Sequence, residues 1–386
     1  MDPVYLDYAA TTPMRDEVRA AMSPYFDGVF GNPSSTHRWG REAAAALAEA
    51  RSRCAEALGA RFSEIHFVRG GTESDNLAVV GRLNRLRADG HAPVAVVSAV
   101  EHKAVLDAAR NATARGAGRL VVLAVTPEGR LDLEALDAAL AGEDPVVVST
   151  MWVNNETGLV LPVEEVATRT AAAGATLHTD AVQAVGKVPV RADQVPFDLL
   201  TVTGHKIYGP KGTALLYARE GTHLAPNLHG GGQERALRPG TEDVAGAVGL
   251  ATALELAVAE REDTVVRLGA LRDELEARLR AGISGLRINA GDAIRGPHVS
   301  SVGVPGVDGM SLLMSLDLEG IAASGGSACQ SGSTGGSHVI QALYGADDAA
   351  ATARFSLGRG TTREHVVRAA DVTVAAVSRL RQGAAV

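Results

Sequence analysis

The hydrophobic positions of this chain fall into short unbroken runs separated by longer stretches with helical spacing. The runs at 65–68, 94–98, 120–125, 146–149, 199–202 and 213–218 are four to six residues long, the length of strands rather than helices. They lack the apolar-polar alternation of a sheet that faces water on one side. Strands buried on both faces and separated by helices predict an α/β fold, a mainly parallel sheet with helices on both faces. Among the helical stretches, one from about Arg41 places Leu47, Ala50, Cys54 and Leu58 on a single stripe and stops near Gly59, which assigns Cys54 to core packing. Thr12 followed by Pro13 reads as an N-cap and first turn, opening a helix that ends near Gly28. A helical region over 245–281, broken near Asp263, leads to short strands at 286–289, 299–304, 320–323 and 353–357, an α+β module. The polar loop 31–40 offers Asn32, Ser34 and Ser35 as candidates to line a cleft.

Composition narrows the classes. With 386 residues, 46% of them hydrophobic, the chain is long enough for two domains and a sizeable core. No apolar run approaches the roughly 20 residues of a membrane span, and the first ten residues lack the basic and apolar regions of a signal peptide. A soluble cytoplasmic protein is expected. A net charge of −8, not gathered into a tail, argues against a general nucleic-acid surface. The two cysteines, Cys54 and Cys329, are too far apart for a metal-ligand spacing, and a structural disulfide is not expected in a reducing compartment. No metal site is expected.

The candidate chemistry centres on LLTVTGHKIYGPKG, residues 199–212, where a buried strand stops at a lysine. Lys206 at the carboxyl end of a parallel strand faces the edge where open α/β sheets bind ligands. A partly desolvated amine there can lose its proton and condense with a carbonyl. In TLHTDAVQAVGK another strand end presents Asp180 and Gln183. An anion opposite a lysine of this kind is what pyridoxal phosphate requires at its ring nitrogen, and Gln183 is placed for the ring hydroxyl. Strand 65–68 runs through RGGT into a helix, so Gly71 and Thr72 outline a phosphate cradle. No GxGxxG turn with a following acid is present, which disfavours a nicotinamide-binding domain. His102 stands at the end of strand 94–98. Arg354 is suited to hold a carboxylate through two parallel N–H groups. Cys329 lies in SGGSACQSGSTGGS, a flexible composition that as a plain linker has no use for a thiol.

In order along the chain, YLDYAATTP, GNPSSTHRWG, GGTESDN, SAVEHKAV, VNNETG, HTDAVQAVGK, TGHKIYGPKG, RPGTEDV, SGGSACQSGS and RFSLGRGTT resemble the cysteine desulfurases of the NifS and IscS type, class V aminotransferase relatives. The resemblance implies a pyridoxal phosphate enzyme of fold type I with a mainly parallel seven-stranded sheet. It implies a large domain over 15–250 and a smaller one from 1–14 and 251–386 that carries the cysteine loop 324–337. It assigns Lys206 as the cofactor-bearing lysine, Asp180 to the ring nitrogen, and His102 as a stacking and proton-moving residue. Gly71, Thr72, Thr203 and His205 become phosphate contacts, although relatives more often have Ala and Ser where Gly71 and Thr203 stand. Asn155, in preference to Asn154, touches cofactor and substrate carboxylate, and Arg354 holds that carboxylate. Cys329 becomes the nucleophile that takes sulfur from L-cysteine and leaves L-alanine, with His102 as the candidate to assist it. Thr241, in the Gly- and Arg-rich stretch 229–244, reaches the phosphate of a neighbouring subunit, so a homodimer is implied. The sulfur acceptor, an iron-sulfur scaffold or a thiolation enzyme, stays open. So do three alternatives: a selenocysteine lyase, another fold-type I aminotransferase, and a non-enzymatic sulfur relay using the loop thiol alone.

Overall fold

The computed structural model describes residues 2–325 and 336–383. Twelve strands are described: β1 (Val4–Tyr5), β2 (Ile65–Val68), β3 (Val94–Ser98), β4 (Arg119–Leu123), β5 (Val146–Ser149), β6 (Thr176–Asp180), β7 (Leu199–Thr203), β8 (Ala214–Ala218), β9 (Arg287–Ile288), β10 (Val299–Val304), β11 (Ile321–Ala322) and β12 (Ala351–Ser356). Seven of them form one sheet in the order β2-β8-β7-β6-β5-β3-β4. From β7 to β4 every pairing is parallel, and β8 runs against both of its neighbours. The expected seven-stranded, mainly parallel sheet is therefore present.

Strand period two sorts the apolar residues to the two faces. Val94 and Val96 of β3 join a core with Leu47, Cys54 and Leu250, under the helices Arg38–Leu58 and Val244–Ala259. Ala95 and Val97 join another with Val79, Leu83 and Val105, under the helices Gly71–Ala88 and Lys103–Ala114. Burial on both faces explains why these strands read as continuous apolar runs. A separate apolar cluster joins Val4 and Leu6 to Leu275, Val302, Phe355 and Val377. Here β9, β10 and β12 pair antiparallel, and β1 pairs parallel with β11.

Several boundaries differ from the sequence reading. The first helix begins at Asp16 after Arg15, so Thr12 is not its cap. The helix carrying Cys54 begins earlier, at Arg38 after a His37 cap, and ends at Gly59 with φ 63°, a left-handed conformation that glycine adopts without strain. The long helical region breaks at Glu260 rather than Asp263. Within the stretch 229–244 the chain is pinned to the rest of the fold. Glu234 forms a buried double hydrogen bond with Arg51, both contacts 2.7 Å, and accepts the Phe67 N–H at 3.0 Å.

Candidate functional site

Asp180 is the last residue of β6 and Thr203 the last of β7. The single 3-10 turn Gly204–Lys206 then brings Lys206 to the carboxyl edge of the sheet. A side chain at Gly204 would put Cβ 2.8 Å from the Pro210 carbonyl oxygen, so this turn closes only with glycine. Lys206 Nζ donates to the carbonyl oxygens of Ala9 and Ala10, both at 2.6 Å. The N-terminal stretch is thus folded over the lysine.

Gly71, Thr72, His102, Asn155, Asp180, Gln183, Thr203, His205, Lys206 and Arg354, each singled out from the sequence, line one cavity of about 310 Å³. That size falls in the range of small-molecule sites, roughly 300–1,000 Å³. Thr241 is exposed and is not among the described residues of this lining. Cys329 lies outside the described residues. Asn32, Ser34 and Ser35 do not line the cavity; Asn32 Oδ1 instead accepts the Ser34 N–H at 2.9 Å, a local loop contact.

The charged groups balance one another. Burial raises the Asp180 carboxyl above its ordinary range, while His102, the Val182 N–H at 2.8 Å and Lys206 favour its anion. Burial also pushes the His102 imidazole down, and its Nδ1 accepts the Ala104 N–H at 3.2 Å to cap the helix Lys103–Ala114. A ring that accepts at Nδ1 carries its proton at Nε2. His205, near Thr11 Oγ1 at 3.1 Å, is pushed down to about 4 by burial with the Lys206 charge adding. The Thr203 hydroxyl donates to the Thr213 carbonyl oxygen at 3.2 Å. Gln183 is fixed at both ends, donating to Ala9 O at 2.9 Å and accepting from His298 Nε2 at 3.1 Å. The His298 ring accordingly stays neutral, held well below its ordinary pKa by burial.

Arg354, in the middle of β12, is 1% exposed. Its guanidinium donates to Asn155 O at 2.9 Å and to Asp7 Oδ1 at 2.6 Å. Asn154 is fully buried and structural: its Oδ1 accepts the N–H groups of Glu156 and Thr157, both at 2.9 Å, and its Nδ2 donates to Val100 O at 2.9 Å. That leaves the half-buried Asn155 to face the cavity.

Sequence reasoning missed Asp7, Asp75, Glu156 and His338. Asp75, Glu156 and His338 line the cavity, and Asp7 holds Arg354. Their spatial neighbours are distant along the chain, so no local spacing marks them. Ser337 is the partial exception: a serine before an apolar run is a recognisable cap, and it does cap the helix His338–Tyr344 while its hydroxyl also donates to Glu156.

The donor set fits pyridoxal phosphate. It combines a lysine amine, a buried carboxyl and a helix start at Gly71 and Thr72, whose first-turn N–H groups have no partner within their own helix. A Cβ added at Gly71 would meet Val182 Cγ2 at 3.4 Å, an ordinary contact, so an alanine would fit there as well.

A mainly parallel sheet with a lysine and a carboxyl converging at its carboxyl edge defines a ligand-binding α/β protein. Residues 4–368 match the family model for aminotransferase class V, and this chain belongs to that family. It is 42% identical to a cysteine desulfurase IscS of Dictyoglomus turgidum over 379 residues, 98% of this chain and 95% of the relative. Among solved structures, a NifS-like protein superposes with a TM-score of 0.90 at 33% identity, covering 98% of this chain and all of the other. A structure titled SspA in complex with cysteine gives a TM-score of 0.78 at 31% identity, covering 92% of this chain and 98% of the other. No described helix is long and apolar enough to cross a membrane.

Proposed function

We propose that this chain is a pyridoxal phosphate-dependent cysteine desulfurase, which moves the sulfur of L-cysteine onto Cys329 and releases L-alanine. The observation that carries the reading is the convergence of Lys206, Asp180 and the helix start at Gly71 and Thr72 on one cavity. The desulfurase and cysteine-complex relatives support the choice of substrate.

Bound pyridoxal phosphate supplies an electron sink for charge that develops at the substrate's α-carbon. Lys206 is the covalent anchor and afterwards moves the α-proton with its Nζ. Asp180 holds a negative charge against the ring nitrogen, and Gln183 contacts the ring hydroxyl. The N–H groups at Gly71 and Thr72, with Thr203 and His205, hold the phosphate. His205 stays neutral near pH 7, so it serves as a hydrogen-bonding group rather than a cation. Arg354 and Asn155 orient the substrate carboxylate. As the Cys329 thiolate bonds to the substrate sulfur, the carbon-sulfur bond breaks. Its electron pair stays on the substrate carbon, which takes a proton. His102, with Nε2 carrying the proton, is the donor we assign to this step.

We extend the proposal to a homodimer in which Thr241 serves the other subunit's phosphate. Its exposed position outside the cavity supports this, as do the exposed Phe26, Phe30 and Trp39, which a second copy would cover. The two-domain division of the chain, cytoplasmic location and transfer of sulfur to an iron-sulfur scaffold or thiolation enzyme belong to the same reading.

Borohydride reduction of the protein loaded with pyridoxal phosphate, followed by peptide mass mapping, should place the adduct on Lys206. Incubation with L-cysteine should yield L-alanine without a keto acid. An adduct elsewhere, or none, would overturn the proposal.

A further inference from the structure

Asp75 lies in the second turn of the helix Gly71–Ala88 and lines the same cavity as Asp180 and Lys206. It is 2% exposed, and its buried Oδ1 has no hydrogen-bond partner among the described residues. The His178 Nε2 stands 3.6 Å from that oxygen but is 3.1 Å from Thr201 Oγ1, and its Nδ1 is 2.8 Å from Ser149 Oγ. Complete burial pushes this imidazole down to about 3, so it is neutral and offers Asp75 no positive charge. Thr201 of β7 is the polar neutral group that favours the Asp75 anion. Among the described residues, the ionisable groups that raise Asp75 from the surrounding elements are both carboxyls, Asp180 at the end of β6 and Glu101 after β3.

Asp180 is placed differently. It has Lys206, His102 and the Val182 N–H on its side. Two carboxyls that share a water-poor site do not both ionise, and the proton stays on the one with less compensation. An ionised Asp75, buried with no cation beside it among the described residues, would be strongly unfavourable.

We propose that Asp75 is a second carboxyl of the cofactor site, holding the proton of an Asp75–Asp180 pair so that Asp180 alone presents a negative charge to the cavity. Asp75 is thereby a positioning residue that acts through Asp180. The inference deepens the pyridoxal phosphate reading of the cavity and rests on it for its purpose, though the location of the proton is measurable without bound cofactor.

Infrared difference spectra of the full chain, with and without pyridoxal phosphate, test it. Wild type minus Asp75→Asn at neutral pH should show the C=O stretch of a protonated carboxyl, shifted by exchange into heavy water. Carboxyl-13C aspartate labelling of the wild type should shift the same band, leaving the Glu101 band in place, and needs no variant to fold. In Asp180→Asn the Asp75 band should bleach at a pH lower by about one unit or more, the coupling at which two sites titrate as a pair. A carboxylate band in place of the protonated one, or an unchanged bleaching pH in Asp180→Asn, overturns the proposal. Failure of the pyridoxal reading would appear separately, as the absence of a borohydride adduct on Lys206.

Discussion

The hydroxyl of Thr12 accepts the backbone N–H of Tyr208 at 2.8 Å across 196 residues of sequence. The same hydroxyl donates to the His205 carbonyl oxygen at 3.0 Å, so one side chain clasps the turn that carries Lys206. Tyr208 has φ 65°, a left-handed conformation that its bulky side chain adopts only where surrounding contacts impose it. Thr12→Val keeps the shape and removes both hydrogen bonds, leaving the Tyr208 N–H without its acceptor. We expect a loss of about 1–3 kcal/mol, read as a lower urea midpoint, together with weaker retention of pyridoxal phosphate.

Thr12 also shows where sequence reading stops. Threonine before proline is a sound local cap signal, but the partners that claimed this hydroxyl are almost 200 residues away. The reversed direction of β8 is hidden for a related reason. ALLYA is as apolar as the parallel strands beside it, and direction is set by the path of the connection, not by composition. Lys206 was readable because it follows the strand LLTVT after a short turn, and Asp180 because it closes the strand TLHTD, which places both at the ligand-binding edge of a parallel sheet. Asp75 and Asp7 were not, since each gains its meaning from residues on other elements: Asp180 and His178 for the first, Arg354 for the second.

The Arg51–Glu234 pair is buried, its side chains 8% and 2% exposed. It holds the segment containing Glu234, Arg235 and Ala236, three successive residues with positive φ, against β2. Glu234→Gln would leave the guanidinium buried without its counter-charge. Breaking one partner of such a pair costs about 3–5 kcal/mol. Thermal melting should show that loss, and Arg51→Met combined with Glu234→Gln should recover part of it.

Glu101 is fully buried, and burial pushes its carboxyl up from 4.5 to about 8. Its Oε1 accepts from Ser98 Oγ at 2.6 Å and the Met151 N–H at 2.7 Å. The folded state therefore keeps a proton that the unfolded chain releases above 4.5. The stabilisation is complete below that value and is lost as pH rises towards 8. Glu101→Gln cannot lose this proton. Its stability relative to wild type should rise through that window and level off above it, as measured by urea titrations at a series of pH values. A constant difference would show that Glu101 is already ionised in the folded protein.

Arg354 tests the proposed substrate contact. Its guanidinium is held in place by Asp7 Oδ1 on one nitrogen and Asn155 O on another, so its orientation is fixed before any ligand arrives. Asn155 thereby joins the substrate pair twice, through its backbone to Arg354 and through its own place on the cavity wall. Arg354→Lys keeps the charge but has one nitrogen, which cannot meet Asp7, Asn155 and a carboxylate in the planar arrangement of a guanidinium. A charge-assisted hydrogen bond contributes about 1.5–3 kcal/mol, so KM for L-cysteine should rise by roughly 10- to 100-fold. If the contact serves binding alone, kcat changes little, because an interaction made equally in ground and transition states affects KM. A similar KM for both proteins would remove Arg354 from the substrate site and leave it the structural role of joining β12 to the Asn155 turn.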